Sequence, residues 1–417
     1  MKKKLNKEIL KNKIVIFGLG YVGLPLAIEF GKKFDTIGYD INSKRVKDLN
    51  NGYDSTKEFL KKYIKSSKNL KITNQINKLG DRSIYIITVP TPIYKNKKPD
   101  FRNLIDATKA VSKIIKKNSI IIYESTVYPG LTEEICIPII EKKTKLIANK
   151  DFFYGYSPER INPGDKQHQL KNIKKIVSGS NTYAEKIIKK LYESIILAGV
   201  HVAPSVKIAE AAKVIENIQR DINVAFSNEL LKIFEKLNLN TFEILKAANT
   251  KWNFLNFQPG LVGGHCIGVD PYYLLHKCNE INLKPNIITA GRKINDEMGF
   301  YYSNIINQKV KSKFKNKKIK ILILGYTFKE NCSDVRNTKV KDIYDYFNKK
   351  KHKVHIYDPW INFHLRDVKQ VKKLKKNYYD CIIIAVKHDH FFKIGKKKIL
   401  SCAKKKNIFY DIKKVFS

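Results

Sequence analysis

One cysteine in this chain is placed where it could act as a nucleophile. In the stretch Pro259–Pro271, three glycines lead to Cys266, and an acid, Asp270, follows four residues later. Glycines allow a backbone to approach a ligand closely, and a cysteine with charged neighbours can be held as the thiolate that attacks carbonyl groups. A tight turn around a buried structural cysteine is the alternative, and it would be favoured for this loop in isolation.

A dinucleotide signature far upstream favours the catalytic interpretation. Lys13–Phe17 predicts an apolar strand, Gly18–Gly23 has the spacing G-x-G-x-x-G, and an apolar-periodic helix follows. Asp40 ends a second predicted strand, 22 residues after Gly18. In such a unit the glycine turn and the helix N-terminus bind a pyrophosphate, while the acid binds ribose hydroxyls and repels a 2′-phosphate. The spacing therefore predicts a Rossmann domain that binds NAD rather than NADP.

Hydroxyl and charged side chains follow other predicted strands of this domain. Thr91 and Thr126 each come after an apolar strand-like run, and Glu159 and Arg160 come after a further one. Ligands of open α/β sheets lie beyond the carboxyl ends of strands, so Thr91 and Thr126 are candidate cofactor contacts. Ordinary turn and capping roles for the two threonines, and a solvated ion pair for Glu159 and Arg160, are the alternatives.

A single long helix is predicted in the middle of the chain. Apolar periodicity continues from Ser205 to Leu237, which is longer than a usual globular helix and typical of one that connects domains and carries subunit contacts. Lys213, Asn217 and Arg220 share one face of it, although on spacing alone a solvated polar face is the favoured interpretation. After a lysine-rich boundary at 311–318, a β-α-β pattern without the glycine fingerprint predicts another Rossmann-like domain.

These patterns together predict an α/β protein in which two Rossmann-like domains are joined by a long central helix and a helical middle domain. The expected domains are residues 1–204, which bind NAD, residues 205–310, which contain the central helix and the cysteine loop, and residues 311–417, which form the second Rossmann-like domain.

Composition narrows the class of protein and its partners. The 417 residues are 43% hydrophobic and carry a formal net charge of +43, but the lysines are spread in short runs without a nucleic-acid motif. We therefore expect an anionic small substrate and no nucleic-acid partner. Six scattered cysteines without a CxxC pair argue against a metal site or a disulfide framework. Without a span-length apolar run or a signal peptide, we expect a cytoplasmic protein with no membrane partner.

Taken together, the motifs resemble the UDP-glucose/GDP-mannose dehydrogenase family over essentially the whole chain. The several pieces occur in the family's order, which makes the resemblance highly specific. The matching pieces are residues 18–25, 89–92, 124–126, 157–160, 210–217, 259–271 and 325–329. The stretches 250–255 and 262–274 are most similar to the UDP-N-acetylglucosamine 6-dehydrogenases of Vi-type capsule synthesis, and the UDP-N-acetylgalactosamine enzymes of O-antigen synthesis are nearly as close.

The resemblance implies a four-electron oxidation of the sugar C6 alcohol, through an aldehyde, to a carboxylate, with two NAD reduced. Cys266 would form a thiohemiacetal that is oxidised to a thioester and then hydrolysed. Lys213 and Asn217 would stabilise the oxyanions, and Asp270 would orient water or hold Lys213. A water held by Thr126 would accept the proton of the first alcohol oxidation.

The resemblance also implies binding residues, a substrate located between the two Rossmann-like domains, and a homodimer built on the central helix. Residues 311–417 would bind UDP. The implied NAD contacts are Gly18, Gly20, Tyr21, Val22, Gly23, Asp40, Arg45, Thr91, Thr126 and Arg336. The implied sugar-nucleotide contacts are Arg160, Ile161, Lys213, Asn217, Arg220, Gly263, Phe328 and Lys329.

Two positions depart from the family pattern. Pro163 stands where the UDP-glucose branch has a glutamate tied to hydrolysis, which leaves Glu159 as the candidate hydrolytic base. Gln258 stands where close relatives have an arginine before the Pro-Gly of the catalytic loop. UDP-glucose and UDP-N-acetylmannosamine are alternative substrates, and a non-catalytic nucleotide-binding protein is the alternative from a different class.

Overall fold

The strands of this protein are short runs rich in isoleucine, valine and aromatic side chains, a composition that favours buried parallel sheets. A computed structural model describes residues 13–56, 58–161, 169–315 and 317–416. It divides the chain into two units. The first unit comprises Met1–Glu216 and Tyr272–Leu283, and the second comprises Asn217–Pro271 and Lys284–Ser417.

The first unit contains an eight-stranded sheet in the order β3-β2-β1-β4-β5-β6-β7-β8. Its first six strands are parallel neighbours, in the order found in dinucleotide-binding folds. β7 then pairs antiparallel with β6, an arrangement that the sequence did not predict. The strands are β1 (Lys13–Phe17), β2 (Asp35–Tyr39), β3 (Leu70–Thr73), β4 (Ile84–Ile87), β5 (Ile120–Tyr123), β6 (Phe153–Tyr156), β7 (Lys175–Gly179) and β8 (Val200–Val202).

Helices of the first unit cover the faces of this sheet. All nine residues of the first helix are buried, because it packs on the strands that flank the glycine turn. Asn42 begins the second helix by accepting a hydrogen bond from the Arg45 N–H, as an N-cap residue does. The helices are α1 (Gly23–Gly31), α2 (Ser43–Asn50), α3 (Lys61–Ile64), α4 (Arg102–Val111), α5 (Ile137–Thr144) and α6 (Thr182–Glu193). A π-helical turn at Thr132–Cys136 precedes α5.

The long central helix, α7, covers Val206–Lys236, within one residue of the predicted bounds at each end. Three further helices follow it: α8 (Thr241–Ala248), α9 (Asp270–Glu280) and α10 (Asn286–Phe314). α10 continues past Lys311, where the lysine-rich boundary was expected to begin. Within the described ranges, no helix is apolar over the length that a bilayer crossing requires.

The second unit contains a four-stranded parallel sheet in the order β10-β9-β11-β12, with apolar clusters on its two faces. The elements are β9 (Lys320–Leu324), α11 (Val340–Lys349), β10 (Lys353–Tyr357), β11 (Tyr379–Ile384), α12 (Asp389–Ile394), α13 (Lys396–Leu400) and β12 (Ala403–Asp411). The prediction of an α/β protein with two Rossmann-like sheets is therefore confirmed.

Candidate active site

The glycine turn after β1 has the shape that a bound dinucleotide requires. Gly18 has a φ of +93°, and a Cβ on Gly23 would lie 1.8 Å from the Gly18 carbonyl oxygen, so neither position accepts a side chain without a shift of the backbone. A Cβ on Gly20 would meet no atom of the described residues within 4 Å. The turn therefore leaves open space in front of its middle glycine, as pyrophosphate binding needs. Tyr21 and Val22 are half-buried beside it.

Asp40 follows β2 and lies against this turn. Its carboxylate accepts hydrogen bonds from the backbone N–H groups of Leu19 and Asn42, each at 2.8 Å. Arg45 donates from Nε to the Leu19 carbonyl at 3.0 Å, and its Nη1 forms a buried ion pair of 2.6 Å with Asp54. Asp54 neutralises Arg45, so the Asp40 carboxylate is the charged group that a bound ribose would meet. A carboxylate there favours NAD over NADP.

The two predicted threonines contact each other. Thr91 Oγ1 donates to the Thr126 carbonyl at 2.7 Å, and the neighbouring Ser125 donates from its hydroxyl to the Val89 carbonyl at 2.6 Å. Both threonines are half-buried and follow the carboxyl ends of β4 and β5. The Thr126 hydroxyl thus belongs to a turn that a neighbouring side chain fixes, a setting suited to holding a water.

Glu159 is held on both of its carboxylate oxygens. Oε1 accepts the backbone N–H groups of Arg160 and Ile161, each at 2.6 Å, and Oε2 accepts from the buried Lys175 at 3.1 Å. Lys175 also donates to Glu124 at 2.7 Å. These contacts favour a role for Glu159 in shaping the turn at Arg160, and its role as hydrolytic base stays a prediction. Pro163 lies outside the described residues.

Burial raises the pKa of Glu124 to about 7, although the charge of Lys175 opposes the shift. The hydroxyl of Tyr192 also donates to this carboxylate. Burial by itself would lower the pKa of Lys175, but the carboxylates of Glu124 and Glu159 raise the pKa of this lysine above the ordinary value. Sequence analysis missed Lys175, since nothing distinguishes it from the many surface lysines.

Helix α7 contributes Lys213 to the first unit, where its side chain is buried. One turn earlier, the Glu210 carboxylate accepts the N–H groups of Gly130 and Thr132 and so fixes the helix to the turn after β5. Arg160, a predicted sugar-nucleotide contact, pairs with Glu216 of the same helix at 2.8 Å. The pairing of Lys213 with the cysteine loop stays a prediction.

In the second unit, the cysteine loop is anchored at its first glycine. Asn228 of α7 accepts from the Gly260 N–H at 2.8 Å and donates to the Gly260 carbonyl at 3.0 Å. The same Asn228 amide donates to Asn295 of α10 at 2.8 Å, and Asn295 in turn donates to Asp221. A buried polar network between α7 and α10 therefore fixes where the loop begins. Gln258, just before it, is exposed.

Four of the predicted catalytic and substrate residues lie together in this unit. The Cys266 carbonyl accepts the N–H groups of Val269 and Asp270, which turns the chain into α9. The Asp270 carboxylate accepts a hydrogen bond from the Asn217 amide, and Arg220 donates to the Asn217 side-chain oxygen at 3.3 Å. Cys266 is half-buried, whereas the other five cysteines are buried. The thiol that sequence analysis selected is therefore the most accessible one.

Gly263 and Gly264 pack against the loop that follows β9. A Cβ on Gly263 would lie 2.8 Å from the Asn337 carbonyl, and Gly264, at a φ of +83°, faces the ring of Phe328. Two hydrogen bonds, from the Gly264 N–H to Arg336 and from the Asn337 amide to Gly264, join the loops. Phe328 and Gly263, both predicted substrate contacts, are thus neighbours.

His265 was missed by sequence analysis. Its Nδ1 lies 2.9 Å from Arg336 Nη2 and 3.4 Å from Asp334 Oδ2. Burial opposes protonation, but the Asp334 carboxylate and the Cys266 thiol raise the pKa of His265 to about 9. Arg336, a predicted NAD contact, pairs with Asp334 in this structure. A histidine beside a cysteine in the sequence carries no signal by itself, because its acidic partner is distant along the chain.

Three lysines follow the carboxyl ends of adjacent strands in the second sheet. Lys329 comes after β9, Lys387 after β11 and Lys413 after β12. Burial lowers the pKa of Lys413; the negative charge of Glu330 opposes this shift, and the positive charge of Lys387 adds to it. Only Lys329 was predicted as a contact. Such an edge attracts anions, and it is where ligands of open α/β sheets bind.

Comparison with known proteins identifies one family along most of the chain. The UDP-glucose/GDP-mannose dehydrogenase family matches in three consecutive parts: its NAD binding domain at residues 12–196, its central domain at 207–297 and its UDP binding domain at 322–417. The matches cover most of the chain, and the residues around the glycine turn fit the NAD that the first part binds.

Individual relatives match along almost their whole length. The chain is 49% identical over 410 residues to a UDP-N-acetyl-D-glucosamine 6-dehydrogenase of Salmonella typhi, covering 97% of this chain and 96% of the relative. It is 48% identical over 409 residues to a UDP-N-acetyl-D-glucosamine 6-dehydrogenase of Pseudomonas aeruginosa, covering 96% of each. A solved UDP-D-ManNAc dehydrogenase from Pyrococcus horikoshii superposes with a TM-score of 0.89 at 28% identity, covering 97% of this chain and 96% of that one.

One assignment follows from the open glycine turn, the cysteine loop and the family match in all three parts of the chain. The chain belongs to the UDP-glucose/GDP-mannose dehydrogenase family and is an NAD-dependent nucleotide-sugar dehydrogenase.

Proposed function

We propose that this enzyme oxidises the C6 alcohol of UDP-N-acetylglucosamine, or of UDP-N-acetylgalactosamine, to the carboxylate. The observation that carries the proposal is the cysteine loop, in which the carbonyl of the half-buried Cys266 accepts the N–H of Asp270, the residue whose carboxylate accepts the Asn217 amide at the start of α9. An alcohol dehydrogenase that stops at the aldehyde needs no nucleophile. A thiol held beside polar groups supports a reaction that continues to the acid.

The proposed chemistry proceeds in two oxidations. NAD, when bound, accepts a hydride in each of them. In the first, a water held by Thr126 takes the proton of the alcohol. The Cys266 sulfur then adds to the aldehyde carbon, and the carbonyl π pair moves to oxygen, which is protonated to give a thiohemiacetal. Its oxidation gives a thioester, and attack by water releases the acid and the thiol.

Lys213 and Asn217 are proposed to stabilise the oxyanions that form at each addition step. A donor of this kind contributes roughly 3 kcal/mol to the transition state. The hydrogen bond to Asp270 fixes the orientation of the Asn217 amide, so one of its donors is already positioned before the substrate arrives. Asp270 is therefore proposed to orient the amide, in addition to water or Lys213.

The choice of substrate is supported by the second sheet and by the relatives. Lys329, Lys387 and Lys413 supply positive charge at one sheet edge, which suits a diphosphate. Two relatives that are 49% and 48% identical to this chain are named for UDP-N-acetyl-D-glucosamine, whereas the solved UDP-D-ManNAc dehydrogenase is 28% identical to it. UDP-glucose and UDP-N-acetylmannosamine are the alternatives, and a non-catalytic nucleotide-binding protein is the alternative class.

We further propose a homodimer built on α7, in the cytoplasm. Four large apolar side chains of that helix remain exposed, which supports a subunit contact: Ile208, Ile215, Phe226 and Ile233. A nucleophilic thiol needs a reducing compartment. The domain division at 204 and 310, and a role of the product in surface polysaccharide synthesis, are proposed from the motif resemblance.

A panel of UDP-sugars tests the proposal. The purified protein is given a limiting amount of UDP-N-acetylglucosamine, UDP-N-acetylgalactosamine, UDP-N-acetylmannosamine or UDP-glucose with excess NAD, and NADH absorbance is followed. We expect about two NADH per sugar, with the highest kcat/KM for an N-acetylhexosamine of gluco or galacto configuration. One NADH per sugar would exclude the thioester route, and no reduction with any sugar would exclude the activity.

A further inference from the structure

His388 is a fully buried histidine that follows β11, and both of its ring nitrogens have partners. Nδ1 accepts a hydrogen bond from the backbone N–H of Asn331 at 3.0 Å. Because a backbone N–H can only donate, the hydrogen of a neutral ring lies on Nε2. This Nε2 lies 3.1 Å from Asp358 Oδ2 and 3.2 Å from Thr327 Oγ1. The ring therefore joins the segments that follow β9, β10 and β11, which are neighbours in the second sheet.

Asp358 and His388 hold the two ends of the loop 325–331, which follows β9. At its start, the backbone N–H groups of Tyr326 and Thr327 donate to Asp358 Oδ2 at 2.6 and 3.1 Å. At its end, the Asn331 N–H donates to the histidine ring. The hydrogen bond between the ring and the carboxylate connects these two ends, so the loop is fixed by two buried side chains from outside it.

Phe328 and Lys329, two predicted sugar-nucleotide contacts, lie between the fixed ends of this loop. The Thr327 hydroxyl donates to the Lys329 carbonyl at 2.9 Å. Since a hydroxyl has one hydrogen, its contact with His388 is a hydrogen bond that the ring donates from Nε2. The histidine therefore acts on the backbone that places the lysine through a single intervening side chain.

Asp358 occupies the place in the second sheet that Asp40 occupies in the first. Asp40 follows β2 and Asp358 follows β10, and each carboxylate accepts the N–H of the residue two positions after the neighbouring strand, β1 or β9. Asp40 is half-buried, whereas Asp358 is buried against the histidine. Trp360 stacks on the His388 ring, with ring centroids 6.5 Å apart. The acid of the second sheet therefore binds the protein's own loop, where the acid of the first is accessible to a ribose.

We propose that His388 is a positioning residue for the nucleotide, which fixes the loop 325–331 so that Phe328 and Lys329 meet the UDP half of the substrate in one arrangement. A loop that is already ordered loses less conformational entropy on binding, so its contacts contribute more to affinity. The inference rests on the proposed function only where it takes these two residues as nucleotide contacts. It concerns binding and assigns no step of the oxidation to the histidine.

Binding of UDP to the full chain, without sugar or turnover, tests the inference. His388→Phe keeps an aromatic ring but removes both of the ring's hydrogen bonds. We expect this variant to raise the Kd for UDP, measured by isothermal titration calorimetry, by about tenfold, the effect of losing one well-made hydrogen bond. The Kd for NAD should stay unchanged, because the NAD binding domain lies in the first unit.

Two partial variants keep the test decisive if His388→Phe does not fold. In His388→Gln the side-chain amide can still donate to Asp358, but the acceptor for the Asn331 N–H is lost. Its Kd for UDP should lie between those of the wild type and the phenylalanine variant. Thr327→Val removes the hydroxyl that binds the Lys329 carbonyl, and it should also weaken UDP binding.

His390→Gln is the matched control. His390 lies on α12, and its ring contacts the Tyr357 hydroxyl at 3.0 Å, outside the loop 325–331. This variant should bind UDP like the wild type. An unchanged Kd for UDP in His388→Phe, or in the two partial variants if that one does not fold, would overturn the proposal. An equal loss of NAD binding would also overturn it, because it would show a general loss of structure.

The outcome is separable from the proposed function. UDP binding is measured without a sugar, so the role of His388 can be tested even if no UDP-sugar is oxidised. Where a UDP-sugar is oxidised, its KM should rise in the His388 variants more than kcat falls, since the loop acts on binding. A fall in kcat alone would contradict the proposal. A wild type that binds no UDP would overturn it, whatever the panel of UDP-sugars shows.

Discussion

The amide of Asn217 donates a hydrogen bond to the carboxylate of Asp270, and this contact links the central helix to the residue where α9 begins. The backbone N–H of Asp270 donates at the same time to the Cys266 carbonyl. One residue thus connects the proposed oxyanion donor with the proposed nucleophile.

Replacement of Asp270 by asparagine should lower kcat by about 100-fold while the protein remains folded. The substitution preserves the shape of the side chain but replaces a charged acceptor by a neutral one, so the hydrogen bond that orients the Asn217 amide is weakened. Steady-state NADH production measures the effect, and Asp367→Asn, at an exposed position of the same unit, is the control. Equal kcat in the two variants would contradict the role of the contact.

Replacement of Cys266 by serine should abolish production of the acid, because a serine hydroxyl remains protonated and adds poorly to an aldehyde. Product analysis with the substrate preferred in the panel checks this outcome. Cys278→Ser, at a buried cysteine of α9, is the matched control and should retain acid production. Full acid formation by the Cys266 variant would show that the sulfur is not the nucleophile.

Replacement of Asp40 by serine should weaken the preference for NAD over NADP by about 10-fold or more, since the acid no longer repels a 2′-phosphate. The ratio of kcat/KM values for the two cofactors is the measurement. Asp35→Ser, at the other end of β2, is the control because its carboxylate pairs with Arg82 away from the turn. An unchanged ratio would count against the ribose role.

Replacement of Lys175 by methionine should destabilise the protein by about 3–5 kcal/mol, because two buried carboxylates lose their shared cation. The free energy of unfolding in urea is the measurement. The exposed neighbour Lys174 supplies the control, and Lys174→Met should lie near the wild type. If the two variants were equally stable, the buried cluster would not contribute as the contacts indicate.

Glu210 should make stability depend on pH. Burial raises its pKa to about 7, from 4.5 in an exposed glutamate, although the Thr132 and Gly130 groups oppose the shift. Between those values the folded chain binds more of this proton than the unfolded chain, so the contribution of Glu210 to the free energy of unfolding falls as pH rises. Well below pH 4.5 the group is protonated in both states, and the slope with pH disappears.

The variant Glu210→Gln removes this titration. Its free energy of unfolding relative to the wild type should therefore increase between pH 5 and pH 7, by up to about 3 kcal/mol. Urea unfolding at a series of pH values checks the slope. Glu193→Gln, at an exposed position on α6, should show a constant difference from the wild type, and a constant difference for Glu210→Gln would refute the raised pKa.

Local patterns sufficed for the parts of this molecule that depend on neighbouring residues. The glycine turn, the helix at Val206–Lys236 and strands such as β1 and β2 each follow from periodicity or spacing within a short window. Lys175 and His265 did not follow, because their meaning comes from partners such as Glu124 and Asp334 that only the fold brings near. The antiparallel pairing of β7 was likewise a matter of topology, which hydrophobic runs do not encode.

The two hydrogen bonds between Asn228 and Gly260 limit where this sequence can gain or lose residues. Asn228 of α7 binds both the N–H and the carbonyl of Gly260. The position of the Cys266 thiol, six residues later, is therefore set by Gly260 and not by the end of α7. Insertions and deletions in the segment 237–258, which contains α8, would be accommodated before Gly260 and would leave the position of Cys266 unchanged. A single extra residue between 260 and 266 would not be absorbed.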